Sequence, residues 1–359
     1  MTEPTPPLTG PSLGRRAVLK AAAGPLAAAL PWPLAASDAR AASPARRLDA
    51  AMLDRVRTRA AELDQLHSLI VARDGEIVAG EVFRGPKLDR AVNVKSVSKT
   101  IIASLAGAAL DRGILESVEQ PLSAIMPDLI PDGADPRVGS ITVADLLTMQ
   151  AGLERTSGPN YGRWVESGNW VAFALNRPFV AEPGERMLYS TGSYHLLGAA
   201  LSKAAERNLL SLAREWLGRP LGIDIPPWTQ DPQGFYMGGN NMALSPMDLF
   251  RFGEMWRQGG VWKGQQVLSA AWTEASWVPR TWSPFSGDSY GYGWFITEAR
   301  GRIVTYARGY GGQMLYLVPS LGLTVVVTSD PTRPARSEGH VGDLNALLAD
   351  GIIPAAEEA

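Results

Sequence analysis

Asn93-Val94-Lys95-Ser96-Val97-Ser98-Lys99-Thr100, running straight into the apolar residues 101–110, is the stretch around which the chain is organised. Ser96 and Lys99 are three apart, so on a helix they share one face. A serine hydroxyl is a weak nucleophile until a base takes its proton, and a lysine can be that base when burial suppresses its charge. The free N–H groups of a helix entrance also favour developing negative charge. With 25 Ser and 6 Lys in the chain, one Ser-x-x-Lys pair is not specific by itself. The residues after Lys99 sharpen it: Ile101, Ile102, Leu105, Ala106, Ala108, Ala109 and Leu110 leave almost no polar face, and a helix apolar all round is buried. Ala103, Ser104, Ala106 and Gly107 allow other elements to approach closely. Lys99 thus stands at the mouth of a central helix, where an unpartnered charge is costly.

The rest of the composition narrows the options. The chain has 359 residues, 45% of them hydrophobic, with formal net charge -2. That suffices for one large core, and no basic stripe speaks for nucleic acid. There is no cysteine, hence no disulfide, thiolate metal site or cysteine nucleophile. Three histidines, His67, His195 and His340, lie far apart in sequence. No metal and no cofactor are expected.

Residues 1–41 read as a leader. Arg15-Arg16-Ala17-Val18-Leu19-Lys20 is a twin-arginine pattern, an apolar run over 21–30 comes next, and Ala39-Arg40-Ala41 is a small-x-small cleavage site. The expected product is a folded periplasmic or secreted protein, cut near Ala41 after passing the twin-arginine export machinery. Pro25, Pro31 and Pro33 interrupt the apolar run, which argues against a stable membrane anchor.

Residues 42–359 read as one domain. Positions 48–63 predict a helix with Leu48, Met52, Val56 and Leu63 on its inner side. Residues 68–72 and 76–83 predict a hairpin about Asp74-Gly75. Helical patterns come at 143–149, capped by Thr142, at 164–175, at 192–207, and after Ser245-Pro246-Met247-Asp248. The period returns to strands at 290–296, 302–306, 314–318 and 323–328, with a closing helix over 343–348. The fold class is therefore α+β: an antiparallel sheet built from both chain ends (about 48–115 and 285–350), flanked by helices, with an all-helical insertion (about 116–284).

Two further segments carry candidate chemistry. Met187-Leu188-Tyr189-Ser190-Thr191 precedes the long 192–207 helix, and a tyrosine can accept a proton only if cations lower its pKa. Ala307-Arg308-Gly309-Tyr310-Gly311-Gly312-Gln313 joins two late strands, where glycines permit close approach by a backbone or a substrate.

Ser96-Val97-Ser98-Lys99, Tyr189-Ser190-Thr191 and the Gly309 region occur in the order and rough spacing of the penicillin-recognising serine hydrolases, which the chain resembles over about 48–348. That group includes class C β-lactamases, DD-peptidases, family VIII carboxylesterases and 6-aminohexanoate-dimer hydrolases. Leu146-Leu147-Thr148-Met149-Gln150-Ala151-Gly152-Leu153, Tyr194-His195-Leu196-Leu197-Gly198 and Tyr290-Gly291-Tyr292-Gly293-Trp294 resemble other family segments. The resemblance implies a β-lactamase/transpeptidase-like fold. It implies Ser96 as acylated nucleophile, Lys99 and Tyr189 as shared general acid and base, and the N–H groups of Ser96 and Tyr310 as oxyanion hole, with Gly312 as the second donor if the strand register slips. It places Thr191 and Gly309 at the substrate; Gly311 beside it and Tyr161, as an aromatic able to roof an apolar pocket, are further substrate-binding candidates.

Two departures bear on substrate. The tyrosine motif usually ends in Asn and here ends in Thr191. The strand triple usually opens with Lys or His and here reads Ala307-Arg308-Gly309, with Arg308 one position from the missing cation. The sequence therefore favours a small ester or amide over a β-lactam or D-Ala-D-Ala peptide, with a β-lactamase or DD-peptidase as the second reading. A non-catalytic envelope binding protein on the same fold is the third. His195, Asn240, Asn241, Trp164 and Trp170 are expected to serve structure rather than chemistry.

Overall fold

The two residues Asp74 and Gly75 take φ of 51° and 87°, the double left-handed geometry that closes a two-residue hairpin matching the strand twist. They join β1 (Leu66–Arg73) to β2 (Glu76–Val82). In the computed structural model, which describes residues 47–358, this hairpin is one end of an eight-stranded sheet. The others are β3 (Thr281–Trp282), β4 (Ser289–Tyr290), β5 (Phe295–Ala299), β6 (Arg302–Gly309), β7 (Gln313–Val318) and β8 (Leu323–Ser329). Their order is β2-β1-β8-β7-β6-β5-β4-β3, every adjacent pair antiparallel. The sheet is thus assembled from both ends of the chain, with β1 beside β8 (Leu69 opposite Val327). The twin-arginine leader and the cleavage expected at Ala41 lie outside the described residues.

Strands β7 and β8 are buried at every position, so both faces of the sheet centre are covered. Helix α1 (Ala50–Glu62), capped by Asp49 through the Met52 N–H at 2.7 Å, packs on β1. Its buried stripe is Leu53, Val56 and Ala60. Of the expected inner set, Leu48 and Val56 are buried and Met52 and Leu63 pack against the core, Leu63 from the position after the last turn. Helix α2 (Ser98–Asp111) is buried from Ser98 to Ala109. Its small residues do what their size allows: a Cβ on Gly107 would collide with the Trp272 indole. Helix α3 (Thr191–Ala204) packs against α2, and α4 (Pro246–Arg257), with its Ser245 cap, lies on β7 and β8. Helix α5 (His340–Leu347) starts three residues earlier than expected, and the helical path runs on through 348–357.

Other expectations needed revision. The strand expected over 290–296 is two strands, because Gly291–Trp294 forms a hairpin loop: Gly293 has φ +80° and the Gly291 N–H bonds the Trp294 carbonyl at 2.9 Å. That loop is tied to α2, where the Thr100 hydroxyl donates to the Gly293 carbonyl at 2.6 Å. The helix expected over 164–175 breaks into Tyr161–Val165 and Trp170–Leu175, the second capped by the Asn169 side chain. The insertion is not all-helical: Ala243–Leu244 pairs with Val92–Asn93, and Val261–Trp262 with Gln265–Gln266. Among the described residues no helix is long and apolar enough to cross a membrane.

Candidate active site

Ser96 sits in a single 3-10 turn, Lys95–Val97, immediately before α2. The turn is held from both sides. Lys95 adopts φ +51°, unusual for a residue with a side chain, and its N–H bonds Asn93 Oδ1 at 2.9 Å. Ser98 Oγ donates to the Lys95 carbonyl at 2.5 Å and accepts the Met242 N–H at 3.1 Å. A left-handed non-glycine residue costs of order 1–2 kcal/mol, and these bonds oppose its relaxation.

One turn along α2, Lys99 is only 2% exposed. Its Nζ lies 3.1 Å from Ser96 Oγ, 3.3 Å from Thr191 Oγ1 and 2.7 Å from the Gly239 carbonyl. An ammonium has three protons for these three acceptors. A neutral amine has two, leaving a lone pair to receive the Ser96 proton while Gly239 and Thr191 keep theirs. Burial pushes the Lys99 ammonium below its ordinary pKa, against the upward pull of Tyr189.

Tyr189 stands on the turn before α3, with the Lys99 Nζ 4.9 Å from its ring centroid. Ser96 and Lys99 flank its hydroxyl. Burial would raise this phenol's pKa, but the Lys99 charge, the Ser96 hydroxyl and the Arg308 guanidinium outweigh it, and the net direction is down. Lys99 and Tyr189 are thus both held below their ordinary proton affinities beside the Ser96 hydroxyl.

The support for this cluster comes from residues whose type announced nothing. Thr156 and Ser157 cap α3: Ser157 Oγ accepts the Thr191 N–H at 2.8 Å, and Thr156 Oγ1 the Gly192 N–H at 2.8 Å. Ser157 Oγ also meets Thr191 Oγ1 at 3.0 Å. Thr191, expected at the substrate, borders the cavity and is also a largely buried support of Lys99. The Gly239 carbonyl was missed altogether. Its signal was Gly238-Gly239, since a Cβ on Gly238 would strike the Tyr194 carbonyl of α3.

Opposite Ser96, β6 ends at Gly309 and turns through Tyr310, Gly311 and Gly312 into β7. A Cβ at Gly309 would strike the Val94 carbonyl, so glycine is what lets β6 lie against the Ser96 turn. Gly311 has φ +82° and Gly312 bonds back to the Gly309 carbonyl at 3.3 Å, a type II turn. Among the described residues neither the Ser96 nor the Tyr310 N–H finds an acceptor, whereas Lys95, Val97 and Gly312 do.

These groups line a cavity of about 1060 Å³. Ser96, Tyr189, Thr191, Tyr161, Gly309 and Gly311 all border it. Among the described residues its cations are Lys95, Arg308 and Arg336, and no Asp or Glu lines it. Ala307 is buried, while Arg308 reaches the cavity with its guanidinium 5.2 Å over the Phe295 ring. Asn240 donates to the Tyr161 hydroxyl at 3.1 Å, and its Oδ1 has no partner. His195, on α3, is fully buried, its Nε2 3.0 Å from Asp231 Oδ2 and its ring in edge contact with both Trp164 and Trp170.

Fold and site together define a serine hydrolase of the β-lactamase type, and the Beta-lactamase family model matches residues 67–350. The chain belongs to that family. It is 25% identical over 324 residues to the D-alanyl-D-alanine-carboxypeptidase/endopeptidase AmpH of Escherichia coli (79% of this chain, 83% of the relative). It is 24% identical over 335 residues to the 6-aminohexanoate-dimer hydrolase of Paenarthrobacter ureafaciens (83% and 82%). Among solved structures, EstCE1, a hydrolase with promiscuous acyltransferase activity, is similar at a TM-score of 0.71 and 18% identity (85% and 99%).

Proposed function

We propose that this chain is an exported serine hydrolase that cleaves a small ester or amide through an acyl-enzyme on Ser96. The observation that carries the reading is the contact of Ser96 Oγ with a buried, depressed Lys99 at 3.1 Å, beside a depressed Tyr189, on the floor of an open cavity. Ser96 Oγ attacks the substrate carbonyl carbon as its proton passes to the Lys99–Tyr189 pair. The N–H groups of Ser96 and Tyr310 receive the oxyanion, each such donor being worth ~10²–10³ in rate. The tetrahedral intermediate collapses, the pair returns the proton to the leaving oxygen or nitrogen, and the acyl group stays on Ser96. Water then repeats the sequence, giving up its proton to the pair and releasing the acid. Export rests on the Arg15-Arg16 leader, and periplasmic or secreted location would come with it.

The cavity's charge refines the substrate. Lys95, Arg308 and Arg336, with no lining carboxylate among the described residues, favour an acyl or leaving group bearing a negative charge. This cationic rim also keeps a peptide carboxylate, the DD-peptidase reading, as the second possibility.

The test is intact-mass spectrometry after exposure to a fluorophosphonate and to short p-nitrophenyl esters. One adduct is expected, on Ser96, absent from a folded Ser96→Ala variant. A variant that keeps full turnover would refute the proposal, and a folded wild type that accepts no adduct would favour a binding protein.

A further inference from the structure

The Tyr310 N–H can serve as an oxyanion donor only if it points at the place where the oxyanion forms. In a trans peptide the N–H lies opposite the carbonyl of the same plane. The direction of the Tyr310 N–H is therefore fixed by whatever holds the Gly309 carbonyl, which is the Gly312 N–H at 3.3 Å. A type II turn made of Tyr310, Gly311 and Gly312 is intrinsically mobile, because glycine gives up the most backbone freedom on ordering.

Here the turn is clamped at its other carbonyls by side chains that play no part in the acyl transfer itself. Gln65, just ahead of β1, donates Nε2 to the Gly311 carbonyl at 3.1 Å. Ser329, the last residue of β8, donates Oγ to the Gly312 carbonyl at 3.1 Å. The Ser329 hydroxyl has one proton, committed to Gly312, so the 3.0 Å contact from His340 Nε2 makes the histidine the donor in that second bond. All three side chains are buried: Gln65 at 2% exposure, Ser329 at 2% and His340 at 5%. Of the turn only Tyr310 is exposed, while Gly311 and Gly312 are buried, so their carbonyls and the side chains that meet them are held to one another, each costing free energy unless bonded.

We infer that Gln65, Ser329 and His340 are positioning residues that aim the Tyr310 N–H at the acyl oxygen. The chain of contacts runs from His340 to Ser329, to the Gly312 carbonyl, and through the Gly312 N–H to the Gly309–Tyr310 peptide. Gln65 fixes the intervening plane from the other side. None of the three touches substrate. This inference rests on the proposed acyl-enzyme at Ser96, since it concerns the second donor of that oxyanion hole.

The experiment uses the mature protein and the variants Ser329→Ala, His340→Leu, His340→Gln and Gln65→Met, with each melting temperature measured. The probes are a short p-nitrophenyl ester, for kcat and KM, and phenylboronic acid, whose serine adduct mimics the tetrahedral oxyanion. A misdirected donor forfeits part of the ~10²–10³ that a well-aimed one supplies. Ser329→Ala, His340→Leu and Gln65→Met should therefore each lower kcat and boronate affinity together by ~10-fold, with KM within about 2-fold. His340→Gln, which keeps an N–H donor, should recover most of both. Lowered melting temperatures with kcat and boronate affinity at the wild-type level would make these residues structural and overturn the inference. Boronate bound by the wild type but equally well by all variants would overturn it alone. A wild type that neither binds boronate nor labels at Ser96 would overturn this and the proposed function together.

Discussion

Replacing Gly309 by alanine tests the geometry of the site more directly than removing a reactive group. The new Cβ would stand far inside 3.0 Å of the Val94 carbonyl oxygen and 3.0 Å from Lys95 Cβ, where ordinary contact begins near 3.4 Å. Relieving the overlap demands about 1 Å of separation between β6 and the Ser96 turn, because both neighbours are backbone or stiff stem atoms. The two N–H groups proposed for the oxyanion sit on those two segments, so the hole widens by the same amount. A misplacement of about 1 Å at a reacting centre costs ~10²-fold, and overpacking of this kind costs about 1–3 kcal/mol of stability. Initial-rate kinetics with p-nitrophenyl esters, beside thermal unfolding, should show kcat/KM down ~10². Gly162→Ala, where a Cβ meets nothing within 4 Å, is the control and should match the wild type. A folded Gly309→Ala protein within about 3-fold of wild-type kcat/KM would refute the argument that this strand is held at a critical spacing, since the expected loss is ~10².

Two other perturbations concern charge. Lys99→Met should lower ester turnover by ~10²–10⁴, and its effect on stability should depend on pH. The folded pKa of Lys99 lies below its unfolded value, so between the two the unfolded chain binds more protons and wild-type stability rises with pH. The burial cost is fully present below the folded pKa and is relieved as pH climbs from it toward 10.5. Melting curves across that window should show the wild type gaining on Lys99→Met, and parallel curves would contradict the depressed lysine. Arg336→Ala should reduce kcat/KM for a carboxylate-bearing ester by about 10-fold, the scale of one charge-assisted hydrogen bond, while a neutral ester of the same size is unaffected; Arg308→Ala should cost the carboxylate-bearing ester about 10-fold more than the neutral one, since it also removes a charge that lowers the Tyr189 phenol. Equal losses on both esters would remove the case for an anionic substrate.

The Ser96–Lys99 helix was legible because an apolar run on all faces has one destination, the interior, and carries its first turn with it. Tyr189 was legible only through the order of motifs, since a lone tyrosine before a helix has no signature of its own. The hairpin at Asp74-Gly75 could be read residue by residue, as its turn chemistry is local. What escaped was non-local. The Gly239 carbonyl that completes the Lys99 shell is a backbone atom, and every residue owns one; only the packing of Gly238 on α3 selects it. The break at Gly291–Trp294 was hidden because tyrosine and tryptophan read as strand, while a Gly293 bonded to Thr100 of another element decided the path. Arg308 is adjacent in sequence to the missing cation, but only the fold shows Ala307 buried and Arg308 lining the cavity.

The pairing of β1 with β8 has a consequence for how the chain is made. Leu69 and Val327 are neighbours in the sheet but more than two hundred residues apart in order of synthesis. The β1–β2 hairpin leaves the ribosome with one long, apolar edge and must wait for nearly the whole polypeptide before that edge is closed. Such long-range closure is slow and leaves a sticky intermediate. Loss of the last two strands, β7 and β8, by premature termination would therefore open the middle of the sheet rather than trim its rim, and would leave the Ser96 turn facing a β6 that has lost its partner β7.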